Sequence, residues 1–299
     1  MERYFYAKMG DSNYLAKDYL AGKNELGSPA IPIYFNGAPA NEAAFLSAGG
    51  AKEQGRLFFE CGNDTEHKNI VVIHDGKVTM ASPSGNVIFK PSTKHKGYNG
   101  YVKLLPITIQ SPQLSITEVP AILASMTANR YYYSGTFREI KDPGNLNALQ
   151  HITNRAIPTP ANPSLVNLLY CLSSFELETL VAKLLEEAGC FVPAYRGGNM
   201  IGADIFAYND TPSAINIAGL SILPGKKGVS IQVKRSNMTL ATPPAGVDYL
   251  VGIALKPSTS NFDHTWFLNA LATPSKTKEW LKRSLHWLPY AYRAANGLP

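Results

Sequence analysis

Ser173-Ser174-Phe175-Glu176-Leu177-Glu178-Thr179-Leu180-Val181 decides the fold class of the second half of the chain. Ser173 and Glu176 stand three apart, the spacing at which each side chain satisfies the other's free backbone donor at a helix start. After them Leu177, Leu180, Val181, Leu184, Leu185 and Ala188 recur at helical spacing, and Gly189 can end the helix. Strands are expected downstream at 202–208, 229–234 and 247–255, a further strand at 266–270, and a last helix over 276–287. A helix, several strands and a helix make an α/β pattern.

Upstream of this unit lies Ile157-Pro158-Thr159-Pro160-Ala161-Asn162-Pro163, whose three prolines bar a continuous helix and predict a linker. The reading is therefore a β-rich domain at 1–156, a linker at 157–163 and an α/β domain at 164–299. In the first domain 3–8 reads as a strand, 14–21 as a short helix, and 31–35 as a strand interrupted by Pro32. The best hairpin is 69–81, turned by Asp75-Gly76, a pair suited to the two positive φ angles of a type I′ turn. Further strands are expected at 101–109 and 131–140, and many short strands with turn residues predict a small barrel or sandwich.

The chain has 299 residues, 45% of them apolar and 17% charged, enough to build cores. No apolar run approaches the roughly 18 residues of a membrane span, and Met1-Glu2-Arg3-Tyr4-Phe5-Tyr6 does not read as a signal peptide. Cys61, Cys171 and Cys190 are odd in number and far apart, which argues against a disulfide framework and a structural zinc site and makes a reducing cytoplasm the simplest compartment. The net charge of +6 permits a polyanionic partner without demanding one, and it is shared evenly between the halves. No Walker loop and no Gly-x-Ser-x-Gly elbow occurs, so neither a nucleotide cofactor nor a hydrolase triad is expected. The six histidines show no metal-binding spacing.

Three features of the second half converge on one chemistry. Glu178 lies beside the apolar stripe of the helix. Asp204 opens a strand after the glycine-rich 196–202. In Ile231-Gln232-Val233-Lys234-Arg235 the two-residue period sends Gln232 and Lys234 to the same face. Metal-assisted phosphodiester cleavage needs oxygen ligands for a hard cation and a group that handles the attacking water. Asp204 offers a carboxylate, Gln232 an amide oxygen, Lys234 a cation and Glu178 a second carboxylate. Taken singly, Glu178 also reads as a solvated helix carboxylate, Asp204 as a turn residue capping a strand entry, and Lys234-Arg235 as an ordinary polar strand face.

In these residues the chain resembles the PD-(D/E)xK nuclease superfamily, in particular its Mrr-like restriction-endonuclease branch, over roughly 172–255. Leu177-Glu178-Thr179-Leu180-Val181 looks like that branch's Phe-Glu-x-Leu-Val helix, Gly202-Ala203-Asp204-Ile205 like its Gly-(Val/Ala)-Asp-(Leu/Ile) segment, and Gln232-Val233-Lys234 like its Gln-x-Lys. The resemblance implies a restriction-endonuclease-like mixed sheet flanked by helices and Mg²⁺-dependent cleavage of DNA, with Mn²⁺ as an alternative metal. It implies Asp204 and Gln232 as metal ligands, Lys234 as the catalytic lysine and Glu178 as an auxiliary acid. Arg196, Lys226, Lys227, Arg235 and Arg130 are the expected nucleic-acid contacts. The 27 residues between Asp204 and Gln232 exceed the family's usual spacing and predict an inserted hairpin or loop at 209–228.

In the first half, Asp75-Gly76-Lys77-Val78-Thr79-Met80-Ala81-Ser82-Pro83 followed by 101–107 resembles EVE/PUA-type barrels. Such barrels often precede Mrr-like domains in modification-dependent restriction enzymes and can hold a flipped modified base in an aromatic pocket. Tyr4, Tyr6, Tyr34, Phe35 and Tyr131-Tyr132-Tyr133 are candidates for that pocket, or simply core filling; Met80 reads as core. The expectation is a cytoplasmic, modification-dependent DNA endonuclease of restriction or phage defence. Double-strand cutting would call for a homodimer, because two strands need two sites. The alternatives are a nucleic-acid binding or sensing module without cleavage, to which the neutral Gln232 points, and an RNA-directed nuclease.

Overall fold

The computed structural model describes residues 2–34, 40–47, 52–92, 100–128, 132, 134–157, 162–195, 203–235, 250–256, 262–273 and 275–299. The chain is mixed α/β and forms two compact units, Met1–Pro120 with Met126–Asp142, and Ala121–Ser125 with Pro143–Pro299.

The first unit contains β1 (Arg3–Ala7), α1 (Ala16–Leu20), β2 (Ala30–Ile33), α2 (Glu42–Ser47), α3 (Lys52–Asn63), β3 (Lys68–His74), β4 (Lys77–Pro83), β5 (Ile88–Ser92), β6 (Gly100–Ser115) and β7 (Phe137–Glu139). The seven strands form one sheet in the order β2-β6-β4-β3-β1-β7, with β5 also on β6. All pairs are antiparallel except β1 with β3. A parallel pair needs a long crossover, and α3 lies within the chain that supplies it. The β3–β4 turn is the one expected, with φ of 46° at Asp75 and 68° at Gly76. Pro32 pairs with Leu104 in β2, at the end of the strand order, where a missing N–H is tolerated.

Among the described residues the strand path runs from β2 to β7. Two expectations for this unit need correction. The unit is less purely β than its turns suggest. In α3, Leu57, Phe58, Phe59 and Cys61 are buried, and Phe58 meets Phe137 edge-on at 5.2 Å, while Phe137 stacks on Phe5 at 5.3 Å. Finally, among the described residues of the strand expected over 131–140, strand forms at Phe137–Glu139; Tyr132 lies in a helical turn and packs edge-on against Tyr6 at 5.4 Å.

The second unit contains α4 (Ala121–Ala124), α5 (Pro143–Ile152), α6 (Leu165–Leu169), α7 (Ser174–Glu187), β8 (Phe191–Tyr195), β9 (Ile205–Asn209), β10 (Ile215–Ile217), β11 (Leu220–Ile222), β12 (Gly225–Lys234), β13 (Leu250–Ala254), α8 (His264–Ala270), α9 (Lys276–Ser284) and α10 (Tyr290–Ala294). The boundary between units thus falls at Asp142/Pro143, before α5, and not at 157–163. Pro143 opens α5, where a missing N–H and a fixed φ suit a first helical turn. Residues 158–161 of the expected linker lie outside the described residues.

The capping box of α7 forms as read. Ser173 Oγ accepts the Glu176 N–H at 3.1 Å, and Glu176 accepts the Ser173 N–H at 2.8 Å. Gly189 follows the helix at φ 102°. The sheet runs β13-β12-β9-β8, parallel only between β12 and β13, and α7 packs against β8, β9 and β12. The insertion at 209–228 holds the hairpin β10–β11, turned through Ala218 and Gly219 at φ 48° and 92°. Trp266 Nε1 donates to the Ile217 carbonyl at 3.0 Å. The expected strand at 266–270 is instead part of α8. Asp263 caps it by accepting the Thr265 N–H at 2.8 Å, and Trp266, Phe267 and the following Leu271 are buried. No helix among the described residues is long and apolar enough to cross a membrane.

Candidate metal centre on the second sheet

The β9–β12 ladder ends with Ile205 opposite Ile231. Asp204 directly precedes Ile205 and Gln232 directly follows Ile231, so both stand at this end of the ladder. The Asp204 N–H donates to the Ile231 carbonyl at 2.8 Å, which fixes the backbone there. Its Oδ2 then accepts two bonds, from the Val233 N–H at 2.7 Å and from Lys234 Nζ at 3.3 Å. The strand-capping and catalytic readings of Asp204 are therefore compatible, since one oxygen meets both partners. The Asp204 side chain is 21% exposed and that of Lys234 40%, so the pair is reachable from solvent.

Gln232 pairs on its other side with Gly252 of β13, which brings no side chain beside it. Its Oε1 is buried and has no hydrogen-bond partner among the described residues. A buried amide oxygen left unpaired is costly, and this one lies at the position that the Gln-x-Lys reading gives to a metal ligand. Glu178 is buried on α7, the helix packed on three strands of this sheet. The structure thus joins Asp204 and Lys234, carries Gln232 two residues before Lys234 on β12, and holds Glu178 on the adjoining helix.

Among the described residues no three His, Cys, Asp or Glu side chains are grouped to hold a metal. A centre here would rest on one carboxylate and one amide oxygen, completed by water and phosphate. That suits Mg²⁺, which keeps several waters and takes one or two carboxylates plus substrate oxygens. The residues present fit such an ion.

The expected nucleic-acid contacts fare differently. Arg130 and Arg196 lie outside the described residues. Lys226 and Lys227 fall in β12, where its register against β9 shifts between Gly225 and Val229. Arg235 is engaged within the protein, its Nη2 donating to the Tyr170 carbonyl at the end of α6. It also faces Glu176, whose carboxyl burial raises while its bonds to Ser173 and the Arg235 charge pull the other way. This guanidinium is bound to the protein's own backbone. Nothing local in the sequence signals a partner 65 residues away.

In the first unit Tyr4, Tyr6 and Tyr34 are buried, and Met80 is core as read; Phe35, Tyr131 and Tyr133 lie outside the described residues. A cleft of about 610 Å³ opens there, lined among others by Tyr6, Asn13, His74, Asp75 and Thr127. The His74 side chain is 8% exposed, and both ring nitrogens lack hydrogen-bond partners among the described residues. Ser12, Asn13 and Asp75 on its wall have φ of 54°, 60° and 46°, a backbone region non-glycine residues seldom adopt. No family model matches the chain, no curated protein matches it, and no solved structure matches it.

Proposed function

We propose that the second unit is a restriction-endonuclease-like domain that hydrolyses phosphodiester bonds of DNA with Mg²⁺ or Mn²⁺. The observation that carries this reading is the meeting of Asp204 Oδ2 with Lys234 Nζ at 3.3 Å, on a strand that also carries Gln232, whose buried Oε1 has no hydrogen-bond partner among the described residues. The order α7, β8, β9, β12 and a parallel β13 supports it as well. Asp204 and Gln232 would hold the ion, which when bound polarises a phosphoryl oxygen. Lys234 Nζ donates to the attacking water or to a phosphate oxygen and offsets the charge of Asp204. Glu178 is the auxiliary carboxylate. The first unit is the recognition domain of this reading, an EVE/PUA-like module whose cleft takes a modified base. Its volume falls within the range of small-ligand sites, roughly 300–1,000 Å³. The whole would serve as a cytoplasmic defence enzyme acting as a homodimer.

The test is cleavage, with Mg²⁺ or Mn²⁺, of unmodified, cytosine-methylated, adenine-methylated, hydroxymethylated and phosphorothioate DNA and of RNA, with Lys234→Ala beside wild type. Cutting of one modified DNA, lost in the variant, is expected. Equal cutting of every DNA would remove the modified-base reader. A wild type that neither cuts nor binds Mn²⁺ would favour the second reading, a binding module without cleavage, which the neutral Gln232 supports.

A further inference from the structure

We propose that the strand face carrying Asp204, Gln232 and Lys234 is also a stacking track for a single strand of nucleic acid, so that the centre takes unpaired substrate. The inference rests on the phosphodiesterase reading and adds a substrate class to it.

On β9 the residues alternate strictly: Ile205, Ala207 and Asn209 are buried, while Phe206 and Tyr208 are half-buried. By the two-residue period Asp204, Phe206 and Tyr208 share one face. Opposite Phe206 on β12 stands Ser230, and the register shifts between Gly225 and Val229, beside Tyr208. The Tyr208 ring lies on Gly228, where an added Cβ would come within 2.6 Å of Cε1 and 2.9 Å of Cζ. One side of the ring therefore rests on the β12 backbone, a mounting that only glycine permits. On the other neighbour of β9, Tyr208 pairs with Phe191 of β8, which is 57% exposed. Cross-strand partners share a face, so Phe191 and Tyr208 form an aromatic step four residues along β9 from Asp204, about 14 Å away at the rise of a strand.

At the far end of this line Lys234 Nζ meets Asp204 at 3.3 Å and offers a cation to the phosphate of a bound strand. Rings that lie on a sheet recognise base faces. In a duplex those faces are covered by neighbouring bases, whereas in a single strand they are free to stack, each base contributing about 1–3 kcal/mol.

The experiment is fluorescence anisotropy in metal-free buffer with the full chain and three labelled probes: a single-stranded DNA, the RNA of the same sequence, and the DNA as a duplex. Wild type is expected to bind a single strand several-fold more tightly than the duplex, and the DNA and RNA arms identify which. Phe191→Ala should weaken single-strand binding by about tenfold, leave duplex binding unchanged, and be rescued by Phe191→Trp. Phe191 is exposed, so these variants keep the fold, which circular dichroism checks. Equal affinity for duplex, or a Phe191→Ala protein that binds the single strand like wild type, overturns the track. If the protein still cleaves DNA in either case, the phosphodiesterase reading stands without it. If wild type neither binds nor cleaves any probe, both fall together.

Discussion

Asp204 accepts the backbone N–H of Val233 at 2.7 Å through Oδ2, the oxygen that also meets Lys234 Nζ. The β9–β12 ladder has its last pair at Ile205 and Ile231, so the carboxylate stands in for the next backbone acceptor. One side chain therefore ends a strand and faces the candidate centre, and two substitutions separate the roles. Asp204→Asn keeps an acceptor for Val233 and should cost under about 1 kcal/mol in urea denaturation, yet lose roughly a hundredfold or more in cleavage rate. Asp204→Ala leaves that N–H unpaired and should cost about 1–3 kcal/mol besides. An Asn variant that cleaves at the wild-type rate would leave the carboxylate a strand cap and nothing more.

Gln232 gives the opposite pattern. Its Oε1 is buried without a hydrogen-bond partner among the described residues, so removing it should not hurt the fold. Gln232→Leu is expected to match or exceed wild-type stability by up to about 1 kcal/mol while losing metal response. Gln232→Glu adds a carboxylate at a buried position. It should melt lower than wild type without metal, because a buried charge without a partner is costly, and gain more from Mn²⁺, because a ligand that binds only the folded state stabilises it. Thermal melts of the three proteins with and without Mn²⁺ check this. Identical Mn²⁺ shifts in all three would exclude Gln232 as a ligand.

Local chemistry made part of this legible in the chain. The Ser173–Glu176 box and the Asp75-Gly76 turn carry their own geometry, so α7 and the β3–β4 hairpin could be read directly. The shared face of Gln232 and Lys234 followed from the strand period alone. What failed depended on distance or on ambiguous runs. Trp266-Phe267-Leu268 is too short an apolar run for its period to separate helix from strand; the cap at Asp263 was the usable signal. Leu57-Phe58-Phe59 is similarly contiguous and hid α3. The prolines at 158–163 drew the boundary away from Pro143, which begins a helix. The parallel β1–β3 pairing and the Arg235–Tyr170 bond join residues 65 apart in register or contact, and no local pattern encodes them.

The Tyr170 carbonyl is a second point where substitution should be informative. Arg235 donates to it, and a Cβ at Gly144 would come 2.2 Å from the same oxygen and 2.6 Å from Ile122 Cδ1. Gly144→Ala should therefore cost at least about 1–3 kcal/mol through overpacking, and Arg235→Ala about 1.5–3 kcal/mol through loss of a charged hydrogen bond. Because both act on the fold, DNA affinity of the folded variants is expected to equal that of wild type. A marked loss of DNA binding in Arg235→Ala at unchanged stability would return this residue to the nucleic-acid interface.

Lys103 contributes to the alkaline pH dependence of the first unit. It sits on β6 between Ile33 of β2 and Phe89 of β5, fully buried, with Nζ donating to the Tyr101 carbonyl at 3.0 Å and lying 5.0 Å from the centre of the Phe45 ring. Burial brings its ammonium down from the ordinary 10.5 to about 8. The unfolded chain therefore holds a proton that the native protein releases between these values. Stability gains from this residue as pH rises through about 8 to 10.5, and below 8 both states are protonated, so the cost of burying the charge is constant. Lys103→Met removes that charge. The variant should exceed wild type by on the order of 1–3 kcal/mol at pH 7, and the gap should narrow steadily by pH 10. Urea denaturation of both proteins at pH 7, 8.5 and 10 measures it, and a difference that stays constant across this range would show that Lys103 keeps its ordinary proton affinity in the fold.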